Sequence, residues 1–204
     1  MGHWTSNNRR ITLILIIANL CLLVVYVSAW THSTGQTNKK TVTRPRTLVE
    51  EPLKITIEHR GQLLKENEPF DGDADWVRGL KFKLKNKSDK AITYVVLDLT
   101  FPDTASPGNA RVGLHQIRLG VDPDLRTGNS LYLAAGESMD VSLDSEYDDI
   151  KKLVELKTPM ENVKNLVLRL ETAVFTDDTK WFAGALYRRN PNQTDPLRWV
   201  PINR

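Results

Sequence analysis

Apolar positions along this chain follow two different rules. Residues 11–30, ITLILIIANLCLLVVYVSAW, carry no charge, and Arg9 and Arg10 precede them directly. A helix of that length rises about 1.5 Å per residue and reaches about 30 Å, the thickness of a hydrocarbon core. The pattern predicts a transmembrane helix over 11–30, behind a short N-terminal segment at 1–10. From residue 51 onward the period is two. Leu53, Ile55 and Ile57 alternate with Lys54, Thr56 and Glu58, and Leu80, Phe82 and Leu84 alternate with Lys81, Lys83 and Lys85. Both stretches are half-buried strands.

Residues 91–101, AITYVVLDLTF, are apolar on both faces and read as a central strand. Shorter strands are expected near 111–119 and 138–143. One helix interrupts, at about 146–157. Ser145 is a suitable N-cap, Asp148 and Asp149 complement the dipole, Ile150, Leu153 and Val154 form the apolar stripe, and Pro159 stops it. Leu166, Leu168 and Leu170 then open a long hairpin that returns through Trp181 to Tyr187. The fold class is mainly β, an Ig-like antiparallel sandwich with one short helix. The domain plan is 1–10 cytosolic, 11–30 transmembrane, 31–50 a basic flexible stem, and 51–204 the sandwich.

Residues 84–101, 134–143 and 173–191 resemble bacterial single-pass membrane-anchored proteins that carry one Ig-like or FxLYD-like sandwich. The first stretch has their asparagine, polar turn and apolar strand; the second starts a strand on Gly-Glu-Ser. The FxLYD signature itself is absent, because Pro102-Asp103-Thr104 follows Phe101. The resemblance implies architecture and placement, with no assigned activity and no cofactor.

Composition sharpens the membrane reading. Arg9 and Arg10 flank the apolar run on one side, and Tyr26 and Trp30 close the other at headgroup depth. Cleavage after Val27-Ser28-Ala29 as a signal peptide is the competing reading; the length of the run favours an uncleaved signal-anchor. The short positive flank favours the N-terminus in the cytosol and the domain outside the membrane. Asn19, near mid-span, is either a tolerated polar residue or the hydrogen-bonding point for self-association of two anchors. The chain has 28 basic and 25 acidic residues. Without Arg9, Arg10 and the stem cations Lys39, Lys40, Arg44 and Arg46, 22 basic residues remain, a domain near −3. That charge argues against nucleic acid as a partner. The single cysteine, Cys21, lies inside the span, so the domain has no disulfide.

Candidate chemistry is sparse. Asp71, Asp73 and Asp75 alternate as calcium ligands do, but Trp76 and Phe82 stand where an EF-hand needs glycine and glutamate. A solvated acidic loop is the competing reading. His3, His32, His59 and His115 show no ligand spacing, and no nucleophile or phosphate-loop motif is present. Lys81, Lys83, Lys85, Lys87 and Lys90 form a basic stripe, read either as an edge-protecting solvent face or as a contact for anionic lipid or wall polymer. The last hairpin has two registers. A two-residue loop at Asp177 and Asp178 sets Val174 opposite Trp181 and puts Trp181 and Tyr187 in the core. A three-residue loop at 177–179 turns Trp181 and Tyr187 outward beside Phe175, as an aromatic platform.

The sequence therefore points to a membrane-tethered extracytoplasmic domain that binds or scaffolds, and not to an enzyme. Its expected partners are the lipid bilayer and a protein of the cell envelope. The alternative is a ligand module, taking carbohydrate on Phe175, Trp181 and Tyr187 or calcium on Asp71, Asp73 and Asp75.

Overall fold

A computed structural model describes residues 38–45, 50–105, 112–191 and 198–202. The expected span at 11–30, with Arg9, Arg10, Asn19, Tyr26 and Trp30, lies outside the described residues. Among those described, no helix is long and apolar enough to cross a membrane. The unit from Lys39 onward is mainly β, with two sheets and one helix among the described residues.

The large sheet is built on β9 (Asn165–Phe175). Along one edge runs β6 (Ile92–Phe101), with β7 (Gly113–Gly120) beyond it, both antiparallel. The other edge is shared by two strands. Its N-terminal part pairs with β1 (Lys39–Thr43), Thr41 opposite Asn165, and its C-terminal part pairs with β10 (Thr179–Phe182), Ala173 opposite Trp181. Strand β4 (Pro69–Asp71) lies outside β1, while β11 (Ala185–Arg189) and β12 (Trp199–Pro201) extend the sheet beyond β10. The β1–β9 pair is parallel, where an antiparallel sandwich was expected throughout. The small sheet runs β3 (Gln62–Leu64), β2 (Leu53–His59), β5 (Leu80–Asn86) and β8 (Ser138–Ser142).

Alternation decides which faces meet. Ile55, Ile57, Phe82 and Leu84 of the small sheet share one buried cluster with Val95, Leu97, Leu99, Leu166, Leu168 and Leu170 of the large sheet. That interior drives folding through removal of apolar area from water. Helix α1 (Tyr147–Glu155) adds Tyr147, Ile150 and Val154 to it. The helix starts later and ends earlier than the expected 146–157. Its N-cap is Glu146, without a side-chain cap, because that carboxylate meets His115 Nε2 at 3.0 Å.

Within the expected stem at 31–50, residues 39–43 form a strand. In β1, Lys40 and Val42 point inward, and Lys40 is fully buried. Its ammonium donates to the carbonyl oxygens of Val163 (2.8 Å) and Glu161 (3.2 Å). Burial, with Lys164 nearby, lowers the Lys40 pKa from its ordinary value. Arg44 pairs with the buried Glu51, and Lys39 with Asp71 at 2.9 Å. Three cations assigned to a flexible tether thus belong to the fold. With Arg9, Arg10 and Arg46 set aside, 25 basic residues face 25 acidic ones, so the remainder is neutral.

The turn between β5 and β6 is fixed by Asn86. Its side-chain amide donates to the carbonyls of Lys90 (2.7 Å), Leu133 (3.0 Å) and Ala134 (3.2 Å), and its oxygen accepts from Ser88. Because the side chain is fully buried, the Asn86-Lys87-Ser88 sequon offers no acceptor to a glycan in the folded chain. At the far end of β7, Gly120 has φ +95°, and a Cβ there would stand 2.1 Å from the Thr93 carbonyl oxygen. Only glycine fits that approach.

Candidate functional site

The β9–β10 hairpin takes neither expected register. Its loop is residues 176–178, with Asp178 at φ 58° and Val174 opposite Lys180. A turn closed by a left-handed residue is a common three-residue hairpin. Trp181 then falls opposite Ala173 and Leu186, both on the core side, while Lys180 falls opposite Tyr187. Phe175 and Trp181 are 5% and 1% exposed and offer no ring face to a sugar. They form the floor, with Leu186, of a recess rimmed by Pro52, Ser88 and Lys90. Tyr187 alone of the three lies on the opposite face. The platform of Phe175, Trp181 and Tyr187 is therefore divided between the two sides of the sheet.

The acidic loop is divided too. Asp71 pairs with Lys39, Asp73 with Arg60, and Asp75 accepts the Tyr147 hydroxyl. Three carboxylates with three separate partners do not converge, and among the described residues no group of three or more acids, histidines or cysteines gathers as metal ligands do. Of the lysine stripe, Lys81, Lys83 and Lys85 lie on β5, an interior strand of the small sheet between β2 and β8, while Lys87 and Lys90 lie in the turn after it, where Lys90 pairs with Asp177 at 2.6 Å. Edge protection is thus not its role. Lys85 stands opposite Lys54, and Lys81 pairs with Asp140 at 3.3 Å.

The richest chemistry lies on the outer face of the large sheet. Strand β6 is apolar on both sides because Tyr94 and Val96 pack with Val174 and Trp199 in a second, smaller cluster there. The β6–β9 register shifts between Val96 and Leu97, leaving Glu171 as an extra residue on β9. This bulge lets Glu171 and Thr172 both line one recess of about 250 Å³. Tyr94, Gln116, Arg118, Asp122, Asp124 and Lys180 complete its polar lining, and Phe182 adds a ring.

Two networks organise the charges. Across β7, β6 and β9, Arg118 donates to Gln116 (2.8 Å), Gln116 to Asp98 (3.0 Å), and Arg169 to Asp98 (2.9 Å). Glu171 Oε2 stands 2.7 Å from the same Arg169 nitrogen. Burial raises the Glu171 pKa although Arg169 opposes it, and the hydrogen bond to Asp98 raises that of Arg169. In the second network, Tyr94 donates its hydroxyl to Asp122 Oδ2 at 3.0 Å. Burial, reinforced by that bond, pushes the Tyr94 pKa up to about 12. Burial works against the Asp122 charge, but the N–H groups of Leu125 and Asp124 and the Tyr94 hydroxyl outweigh it and hold the carboxyl low. Asp122 thus gathers the Tyr94 hydroxyl and the N–H groups of Asp124 and Leu125, which ties the turn at 122–125 to β6.

Beside this loop, Lys180 is enclosed by rings. Its Nζ is 4.3 Å from the Trp199 ring centroid, 5.7 Å from Phe182 and 5.8 Å from Tyr187. Burial, with Arg189 adding to it, lowers the Lys180 pKa against the opposing charges of Asp124 and Asp122. Arg189 also lies over Trp199 at 4.8 Å, and the indole N–H donates to Asp124 Oδ2 at 3.0 Å. Sequence reasoning missed Tyr94, Lys180 and Trp199. Tyr94 was absorbed into an apolar run, and the role of Lys180 depends on a register that no glycine fixes. Trp199, in a three-residue strand, gives no periodic signal. In comparisons with protein-family models, curated proteins and solved structures, nothing matched this chain.

Proposed function

We propose that the chain is a membrane-tethered binding or scaffolding domain of the cell envelope that meets a protein partner through the outer face of its large sheet. In this reading the uncharged run at 11–30 is the anchor, the N-terminus is cytosolic, and the Ig-like sandwich is extracytoplasmic. The observation that carries the binding part is Trp199. It is half-buried and braced by Lys180, Arg189 and Asp124, and the same Lys180 ammonium also faces the rings of Tyr187 and Phe182. Tryptophan, tyrosine and arginine held rigidly together are the residue types that dominate interface energies. Binding is favoured over catalysis because the acids near the recess are engaged in fixed contacts: Asp98 and Glu171 share Arg169, Asp122 accepts the Tyr94 hydroxyl, and Asp124 accepts the Trp199 indole N–H.

The test is co-purification from detergent-solubilised membranes, comparing the full chain with Trp199→Ala and Tyr187→Ala. The reading predicts a protein retained by the native chain and lost from both variants while their melting temperatures stay close to native. An identical set of bound proteins across all three would refute it.

A further inference from the structure

We propose that a recess in the gap between β1 and β10 binds a small neutral ligand, an apolar body carrying one carbonyl oxygen, through the Nε–H of Arg44 and the indole N–H of Trp181. Its apolar walls include Leu168, Leu170 and Trp181 of the core cluster, not the Trp199 face, so it stands whether or not that face meets a partner.

The gap follows from the register of β9. Strand β1 covers one edge of β9 as far as Val167, and β10 takes that edge up again from Thr172. Among the described residues no strand pairs with 168–170 there. The space is about 200 Å³, walled by Pro45, Leu168, Leu170 and Trp181, with Arg44, Glu51 and Arg169 as its polar lining.

Two donors that line this recess are unused. Trp181 is 1% exposed, and its Nε1 has no hydrogen-bond partner. The Arg44 side chain is 9% exposed; its Nη atoms meet Glu51 and Glu66, while its Nε has no partner. A buried N–H without an acceptor is costly, and native folds keep few of them. A carbonyl oxygen has two lone pairs and can accept both.

Charge selects a neutral oxygen. Arg44 is matched by Glu51 and Glu66, and Arg169 by Asp98 and Glu171. A carboxylate or phosphate would bring further negative charge beside the buried Glu51, with no cation left to meet it. The apolar walls suit the rest of the ligand, and an apolar cavity of about 150 Å³ already takes a benzene ring.

The experiment is a titration of the ¹⁵N-labelled full chain in detergent, read at the indole N–H signals of its five tryptophans. Trp181→Phe identifies the signal of residue 181. The probes are acetophenone, a ring with a neutral carbonyl, and benzoate, its charged counterpart of similar size. Acetophenone moves the Trp181 proton downfield and saturably, whereas the Trp76 indole, which already donates to the Val163 carbonyl, stays in place. Benzoate moves neither. Arg44→Lys, with its melting temperature checked, keeps a cation beside Glu51 but removes the Nε–H, and raises the Kd about five- to tenfold. The two probes decide on the native chain alone, even where that variant fails to fold. No saturable movement at Trp181, equal movement at Trp181 and Trp76, equal binding of both probes, or an unchanged Kd in a folded Arg44→Lys overturns the proposal.

Discussion

The ammonium of Lys40 lies 2.8 Å from the carbonyl oxygen of Val163, at a position with no solvent exposure. The same oxygen accepts the Trp76 indole N–H at 3.1 Å, so strand β1 and the 3-10 turn at Trp76–Gly79 are tied to one point ahead of β9. Lys40→Ala removes packing against Gly72 as well as two hydrogen bonds, and should cost about 3 kcal/mol. Lys40→Met keeps most of the volume and should cost about 1 kcal/mol.

The pH dependence follows from the direction of the Lys40 shift. Its folded pKa is below 10.5, so in the interval between the two values the unfolded chain binds more protons. Stability should therefore rise with pH across that interval as the cost of the buried charge is relieved. Urea titrations at about pH 7 and about pH 9.5 should show a gain for the native chain that is smaller in Lys40→Met. An equal change in both would mean that Lys40 does not titrate in this way.

Asn86 ties the β5–β6 turn to residues 133 and 134 through three carbonyl oxygens. Asn86→Ala should lower stability by about 3 kcal/mol, since buried acceptors lose their donor. Asn86→Asp should be no better, because a carboxylate would face those oxygens. Thermal melting distinguishes the cases, and a native-like aspartate variant would show that shape alone holds the turn.

Trp181 is fully buried, and its Nε1 has no hydrogen-bond partner in the structure. Phenylalanine would remove that unpaired donor while leaving a small void. Trp181→Phe should therefore cost only about 1 kcal/mol, against about 4 kcal/mol for Trp181→Ala. A large loss on Trp181→Phe, measured by urea denaturation, would show that the N–H is bonded in solution.

Much of the sandwich is legible in the sequence because its strands alternate in the open. The pattern in Leu53–His59 and Leu80–Asn86 locates both strands, and the two-faced apolar run of Ile92–Phe101 marks a strand covered on both sides. Strand β1 is illegible for a physical reason: one of its two inward side chains is a lysine, which periodicity reads as outward. The hairpin register is set by Asp178 in a left-handed conformation, a cost that asparagine or glycine would advertise and aspartate does not. The site on the outer face follows from that register. One step of slippage would send Lys180 to the core side and Trp181 outward, so the sequence carried the residues without their arrangement.

The central claim is that the outer face of the large sheet, and not that of the small sheet, meets a protein partner. In-cell photo-crosslinking tests it directly, with a benzophenone amino acid in place of Tyr187 or, as a control on β5, in place of Lys83. The account predicts a discrete crosslinked species from position 187 that is absent from position 83 and lost when Trp199→Ala is added. Crosslinking from position 83 alone, or from neither position, would contradict it.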